Sequence, residues 1–92
     1  MDHAERLHRD IETARPPAGG AVLWWLGQMG FACRLGARTL YLDPYLSEDP
    51  KRLVPPLLRP GMLTGADLIL GSHDHSDHID RAALPAVLRA SP

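Results

Sequence analysis

Directly after the apolar run Leu68-Ile69-Leu70, the chain places three imidazoles and two carboxylates within six residues, His73-Asp74-His75-Ser76-Asp77-His78. A small core does not hold so many ionisable groups, so a buried strand must end there and give way to a polar loop. Gly71-Ser72 relieves crowding at the exit. Beyond the cluster, Leu84, Val87 and Leu88 recur at helical spacing over Ala82 to Ala90. Pro85 falls in the first turn, where a missing backbone donor costs little, and Asp80 is positioned as a cap. Ser91-Pro92 stops the helix. The order strand, loop, helix across the cluster predicts an α/β or α+β fold.

The preceding residues supply the rest of a sheet. Leu7, Ile11 and Ala14 share one face of a helix expected over residues 4–14, ended by Pro16-Pro17 and followed by the connector Ala18-Gly19-Gly20. Residues 21–26 are continuously apolar, as in a strand with both faces at least partly covered. Phe31 to Leu35 and Thr39 to Leu42 are two further short runs, the second closed by Asp43-Pro44. Glycine-bearing turns between the three runs predict hairpins or a meander. Five prolines between positions 44 and 66 predict irregular chain there, with Leu53-Val54 and Leu57-Leu58 packing it back onto the sheet. The expected organisation is a leader helix with a Pro/Gly linker over residues 1–20 and one domain portion over residues 21–92.

Several function classes are excluded. A net charge of -1 with dispersed arginines leaves no footprint for nucleic acid or an anionic membrane. No apolar stretch approaches the ~20 residues of a membrane span, and Met1 to Arg6 is too polar for a signal peptide. The expectation is a soluble cytoplasmic protein. Cys33 is the only cysteine and reads as a small buried filler, and His3 and His8 read as solvated surface residues. Asp67, Asp74, Asp77 and Asp80 have no basic residue among them, which suits either a solvated loop or a cation site.

His73 and His75 stand two apart, so in extended chain both rings share a face and converge on one ion. Asp77 and His78 then fit a neighbouring ion, the two centres lying about 3.5–4 Å apart as in two-metal hydrolases. Imidazole with carboxylate suits zinc, manganese or iron. A hydroxide activated by the metals would attack a lactone, ester or phosphoester. Asp74 and Asp43 are candidates to orient the ligands from behind, Asp43 by holding a ligand histidine's other nitrogen or, equally, by capping the turn at the strand end. The competing account of the cluster is a polar surface loop or an adventitious metal binder.

The motif His73-x-His75-x-Asp77-His78 in this strand-loop-helix setting resembles the metallo-beta-lactamase superfamily. Trp24 to Phe31, Leu42-Asp43-Pro44, Ala66 to Leu70 and Ser72 to Asp80 most resemble its L-ascorbate-6-phosphate lactonase-like group. The resemblance implies an αββα sandwich of two similar halves, of which this chain is the truncated N-terminal half. It implies two divalent ions, zinc or manganese, held by His73, His75, Asp77 and His78, with Asp77 also carrying the catalytic role. It implies a small-molecule substrate of the phosphorylated sugar-acid lactone type, and it is compatible with a homo-oligomer of the full-length parent. Trp24, Gln28 and Tyr45 are candidates to line the pocket. In such proteins a second half supplies further ligands, which this sequence does not contain. A fragment with weak metal binding and little turnover is therefore expected. The alternatives are a non-catalytic remnant or metal-binding module needing a partner chain, and an interaction domain using an exposed sheet face.

Overall fold

The computed structural model describes residues 1–72, 75 and 78–91; His73, Asp74, Ser76, Asp77 and Pro92 lie outside the described residues. Helix α1 (His3–Thr13) starts at a reciprocal cap. The Asp2 carboxylate accepts from the Glu5 amide at 2.8 Å, and the Glu5 carboxylate accepts from the Asp2 amide at 3.1 Å. Strands β1 (Ala21–Trp25), β2 (Phe31–Leu35) and β3 (Arg38–Leu42) form an antiparallel meander. A crossover with a single 3-10 turn, Pro60–Met62, returns the chain to β4 (Leu68–Leu70), which pairs with β3 in parallel. Helix α2 (Leu84–Ala90) follows. The sheet order is β1-β2-β3-β4.

Strand alternation divides the sheet into two different faces. Cross-strand register aligns Trp24, Ala32, Tyr41 and Ile69 in one row. That face packs on Ile11 of α1, Val87 of α2 and the loop residues Leu26, Leu46, Leu58 and Leu63, which together make the core. On the other face the rows are Leu23–Cys33–Leu40–Leu68 and Trp25–Phe31–Leu42–Leu70. There Leu23 is 61% exposed and Leu68 47%. The described residues thus form two layers, helices and loops over one sheet face, an arrangement consistent with part of an αββα sandwich.

Some sequence expectations need correction. β1 is not covered on both sides: a continuous apolar run reports that both faces are apolar, not that something covers each. Leu53 does not pack onto the sheet and is fully exposed, whereas Leu58 is buried. α2 begins at Leu84 and not Ala82, because residues 81–83 form a turn instead. Of its apolar side chains only Val87 is buried. His8 is half-buried and not solvated, its Nε2 lying 2.9 Å from the Thr64 hydroxyl. Cys33 is buried, as a filler should be. Among the described residues no helix is long and apolar enough to cross a membrane.

Candidate functional site

Parallel pairing of β3 and β4 brings their carboxyl ends out at one edge, the place where open α/β sheets bind ligands. Asp43 leaves β3 there, and Gly71-Ser72 leaves β4. The two exits are joined. The Asp43 amide donates to the Leu70 carbonyl at 2.7 Å, and the Ser72 amide donates to Asp43 Oδ1 at 2.6 Å. Asp43 Oδ2 then meets His78 Nδ1 at 2.9 Å, and the Ser72 hydroxyl lies 3.1 Å from the same nitrogen. His78 is 8% exposed.

This geometry demands unusual backbone. Asp43 sits at φ 48, in the left-handed region, with a proline following. Aspartate tolerates that region better than most residues, and the surrounding bonds hold it there. Gly30 lies against it: a Cβ on Gly30 would stand 2.6 Å from the Asp43 carbonyl oxygen. At the other exit, a Cβ on Gly71 would stand 2.6 Å from Ile79 Cγ1. Both glycines are thus steric requirements for closing the loops around His78.

A second tie runs parallel to the Asp43–His78 contact. Asp80 Oδ2 accepts from the amides of Leu46 and Ser47 at 2.9 and 2.8 Å, and Oδ1 accepts from the Ser47 hydroxyl at 2.7 Å. Oδ1 also takes the Ala83 amide at 3.3 Å. The chain after β3 is therefore clamped twice to the segment 78–80. Asp80 was expected as the cap of α2; it caps the turn before that helix and uses most of its acceptor capacity on the 46–47 loop.

Electrostatics at Asp43 are balanced. Desolvation pushes its carboxyl up, but hydrogen bonds from His78 and from the Ser72 amide and hydroxyl outweigh that and hold it below the usual carboxylate value. With a carboxylate on Nδ1, the neutral ring carries its proton there, and Nε2 is the nitrogen a metal would take. A buried imidazole oriented by a carboxylate is the arrangement that supports metal ligation, so the donors present fit a divalent transition metal. His75 is exposed, and its carbonyl accepts from the amides of His78 and Ile79 at 2.9 and 2.8 Å. The expected ligands His73 and Asp77, and Asp74, lie outside the described residues. Among the described residues no group of three or more His, Cys, Asp or Glu is placed to hold a metal.

The remaining candidates separate. Trp24 faces the helical layer, its indole donating to Asp10 Oδ2 at 2.9 Å. Gln28 lies in the turn between β1 and β2, its carbonyl accepting from the Trp25 indole at 3.0 Å, and does not line the cavity beside His78. Tyr45 is buried, with the Arg52 guanidinium 4.6 Å above its ring. Of the acids noted for lacking basic neighbours in sequence, Asp67 is used on the Thr39 amide at 2.8 Å and on Arg38 across the sheet at 3.4 Å. Ser72 and Asp80 were not foreseen as supports of His78. The only sequence signal for them is their position at either end of the motif.

No protein-family model matches the chain. It is 38% identical over 88 residues to a UPF0173 metal-dependent hydrolase of Cupriavidus necator, which covers 91% of this chain and 29% of the relative. A UPF0173 metal-dependent hydrolase of Cupriavidus taiwanensis is 38% identical over 87 residues, 89% of this chain and 29% of the relative. An archaeal one from Aeropyrum pernix is 39% identical over 59 residues, 64% of this chain and 22% of the relative. The chain thus spans less than a third of the length of these curated relatives.

Proposed function

We propose that this chain forms the His78 side of the metal site in a metal-dependent hydrolase of the UPF0173 kind, with a metallo-beta-lactamase fold. The observation that carries the reading is the Asp43–His78 contact of 2.9 Å at the joint carboxyl ends of β3 and β4. It orients a buried imidazole at the end of a motif whose preceding residues, His73, His75 and Asp77, are nitrogen and carboxylate donors by type. The name shared by the relatives supports the reaction class. His73, His75, Asp77 and His78 are the proposed ligands of two ions, zinc or manganese with iron as the other choice. Asp77 is also assigned the catalytic role, and Asp74 is the proposed support of the ligands. Bound there, the divalent metals supply Lewis-acid activation of water and of the substrate oxygen.

The chain's own residues do the positioning. Asp43 and Ser72 fix the His78 ring, Asp80 fixes the loop behind Asp43, and the two glycines let these loops approach. The proposed substrate is a small molecule with a lactone, ester or phosphoester bond, a phosphorylated sugar-acid lactone being the lactonase-like case. The proposed location is the cytoplasm, with neither nucleic acid nor membrane as a partner. The test is metal content and hydrolysis of the full-length protein containing this segment. His75→Ala and Asp77→Ala are expected to lower both, and Asp43→Asn to weaken metal affinity about 10–100-fold. Unchanged metal content in all three variants would refute the ligand assignment.

One observation favours a second reading. The bare sheet face carrying Leu23, Trp25 and Phe31 suits a metal-binding module completed by a partner chain. Metal binding without hydrolysis in the full-length protein would select it.

A further inference from the structure

On the same rim as His78, but at the β1 end of the sheet, lies a cleft of about 480 Å³ lined by Trp25, Gln28, Lys51, Arg52, Leu53 and Val54. Trp25 stands in the register row that continues through Phe31 and Leu42 to Leu70, the last residue before Gly71-Ser72. Three strand spacings separate its ends, roughly 14 Å. Both ionisable lining residues are cations, and the other four offer an indole, an amide and two aliphatic side chains. Leu53 is fully exposed at its mouth.

Arg52 carries the stronger signal. Its Nε donates to the Val54 carbonyl at 2.9 Å, and Nη1 donates to the carbonyls of Tyr45 and Ser47 at 2.7 and 3.2 Å. Nη2 is buried, without a hydrogen-bond partner among the described residues, and would stand 3.0 Å from a Cβ on Gly27. Closed off behind Gly27, this nitrogen lends the cleft its charge and not a hydrogen bond. Neither Lys51 nor Arg52 forms an ion pair among the described residues. The nearby Asp49 carboxylate is engaged by the Tyr45 hydroxyl at 3.1 Å and the Lys51 amide at 2.9 Å.

We propose that this cleft is an oxyanion-binding subsite, taking the carboxylate or phosphate end of a ligand whose apolar or aromatic body rests on Trp25, Leu53 and Val54. Lys51 supplies an exposed, mobile charge, and Arg52 a fixed one behind Gly27 and Gln28. Arg52 acts through its charge, its donors being used on the carbonyls of Tyr45, Ser47 and Val54. Resting on the hydrolase reading, the subsite adds a substrate class, one that carries a carboxylate or phosphate terminus. Anion binding itself requires neither metal nor turnover.

The test uses the metal-free full-length protein containing this segment, with the indole N–H signals of Trp24 and Trp25 assigned in NMR. The Trp25 indole lines the cleft, while the Trp24 indole is bonded to Asp10 on the opposite face and serves as an internal control. Titration with phenyl phosphate or benzoate is expected to shift the Trp25 signal saturably and leave Trp24 unmoved. Benzyl alcohol, the neutral counterpart, should not shift it. Lys51→Glu, at an exposed position where folding is safe, should weaken binding roughly tenfold, as reversal of one solvent-facing charge does. Arg52→Gln, with Trp24 reporting an intact fold, should also weaken it. Equal response to benzyl alcohol, an affinity indifferent to Lys51→Glu, or no saturable shift would each overturn the proposal. Because no metal is present, failure here leaves the ligand assignment standing, and failure of the histidine and aspartate variants leaves this subsite standing.

Discussion

Replacing Asp80 by alanine removes one carboxylate that accepts from Leu46, Ser47 and Ala83. The amides of Leu46 and Ser47 lose their acceptor where Leu46 is only 3% exposed, so water does not replace it easily at that residue. Hydrogen bonds to a charged group contribute about 1.5–3 kcal/mol each, but bonds sharing one carboxylate do not add. The ~3.3 Å Ala83 bond is the weakest. A net loss of about 2–4 kcal/mol follows, a large fraction of the 5–15 kcal/mol typical of a folded domain. For a chain of this size that corresponds to a fall in Tm of very roughly 10–25 °C. Asp80→Asn keeps one acceptor for the two amides and should lose about half as much. Urea unfolding followed by circular dichroism measures both, with the slope compared to confirm that only stability has changed. An Asp80→Ala chain within 0.5 kcal/mol of the parent, on the order of a surface substitution, would refute the clamp.

Other consequences can be read in the same unfolding experiment. Gly30→Ala forces a Cβ to within 2.6 Å of the Asp43 carbonyl and should destabilise by about 1–3 kcal/mol, with the His78 ring signals displaced. Ile11→Ala, at a position 1% exposed, should cost about 2–5 kcal/mol, showing that α1 belongs to the core; a loss under ~0.5 kcal/mol would mean that it frays away. Burial, with the Glu12 carboxylate adding to it, pushes the Tyr41 phenol up to about 12 against partial opposition from Arg34. The neutral phenol is therefore favoured in the folded state, and its contribution is complete below pH ~10 and lost as pH rises through ~12, on the order of 3 kcal/mol in all. Tyr41→Phe should flatten the fall in urea midpoint between those pH values.

Much of this arrangement is legible in the sequence because it depends on local rules. Apolar runs punctuated by glycine marked β1 to β4, and the Pro16-Pro17 pair ended α1. What stayed hidden depends on pairing between distant segments. Alternation puts Trp24 and Trp25 on opposite faces, but only the packing shows which face carries the helices, so the indole at the cleft is Trp25. The charge pattern around the motif suggested a surplus of acid awaiting a cation. Two of those acids, Asp67 and Asp80, are instead used by backbone amides 28 and 33–34 residues away. Asp-Pro after a strand offered two readings of Asp43, a turn cap or a support for a ligand histidine; that the histidine it meets is His78, 35 residues on, depends on the parallel crossover. Arg52 was invisible for the same reason: its acceptors are carbonyls of a proline-rich loop without regular structure.

A crystal structure of the full-length protein with manganese or zinc, the ion located by anomalous scattering, bears most directly on the account. It predicts an ion about 2.0–2.2 Å from His78 Nε2, sharing the site with His73, His75 and Asp77, while Nδ1 stays on the Asp43 carboxylate. An ion bound elsewhere, or His78 ligating through Nδ1 with Asp43 released, would contradict it.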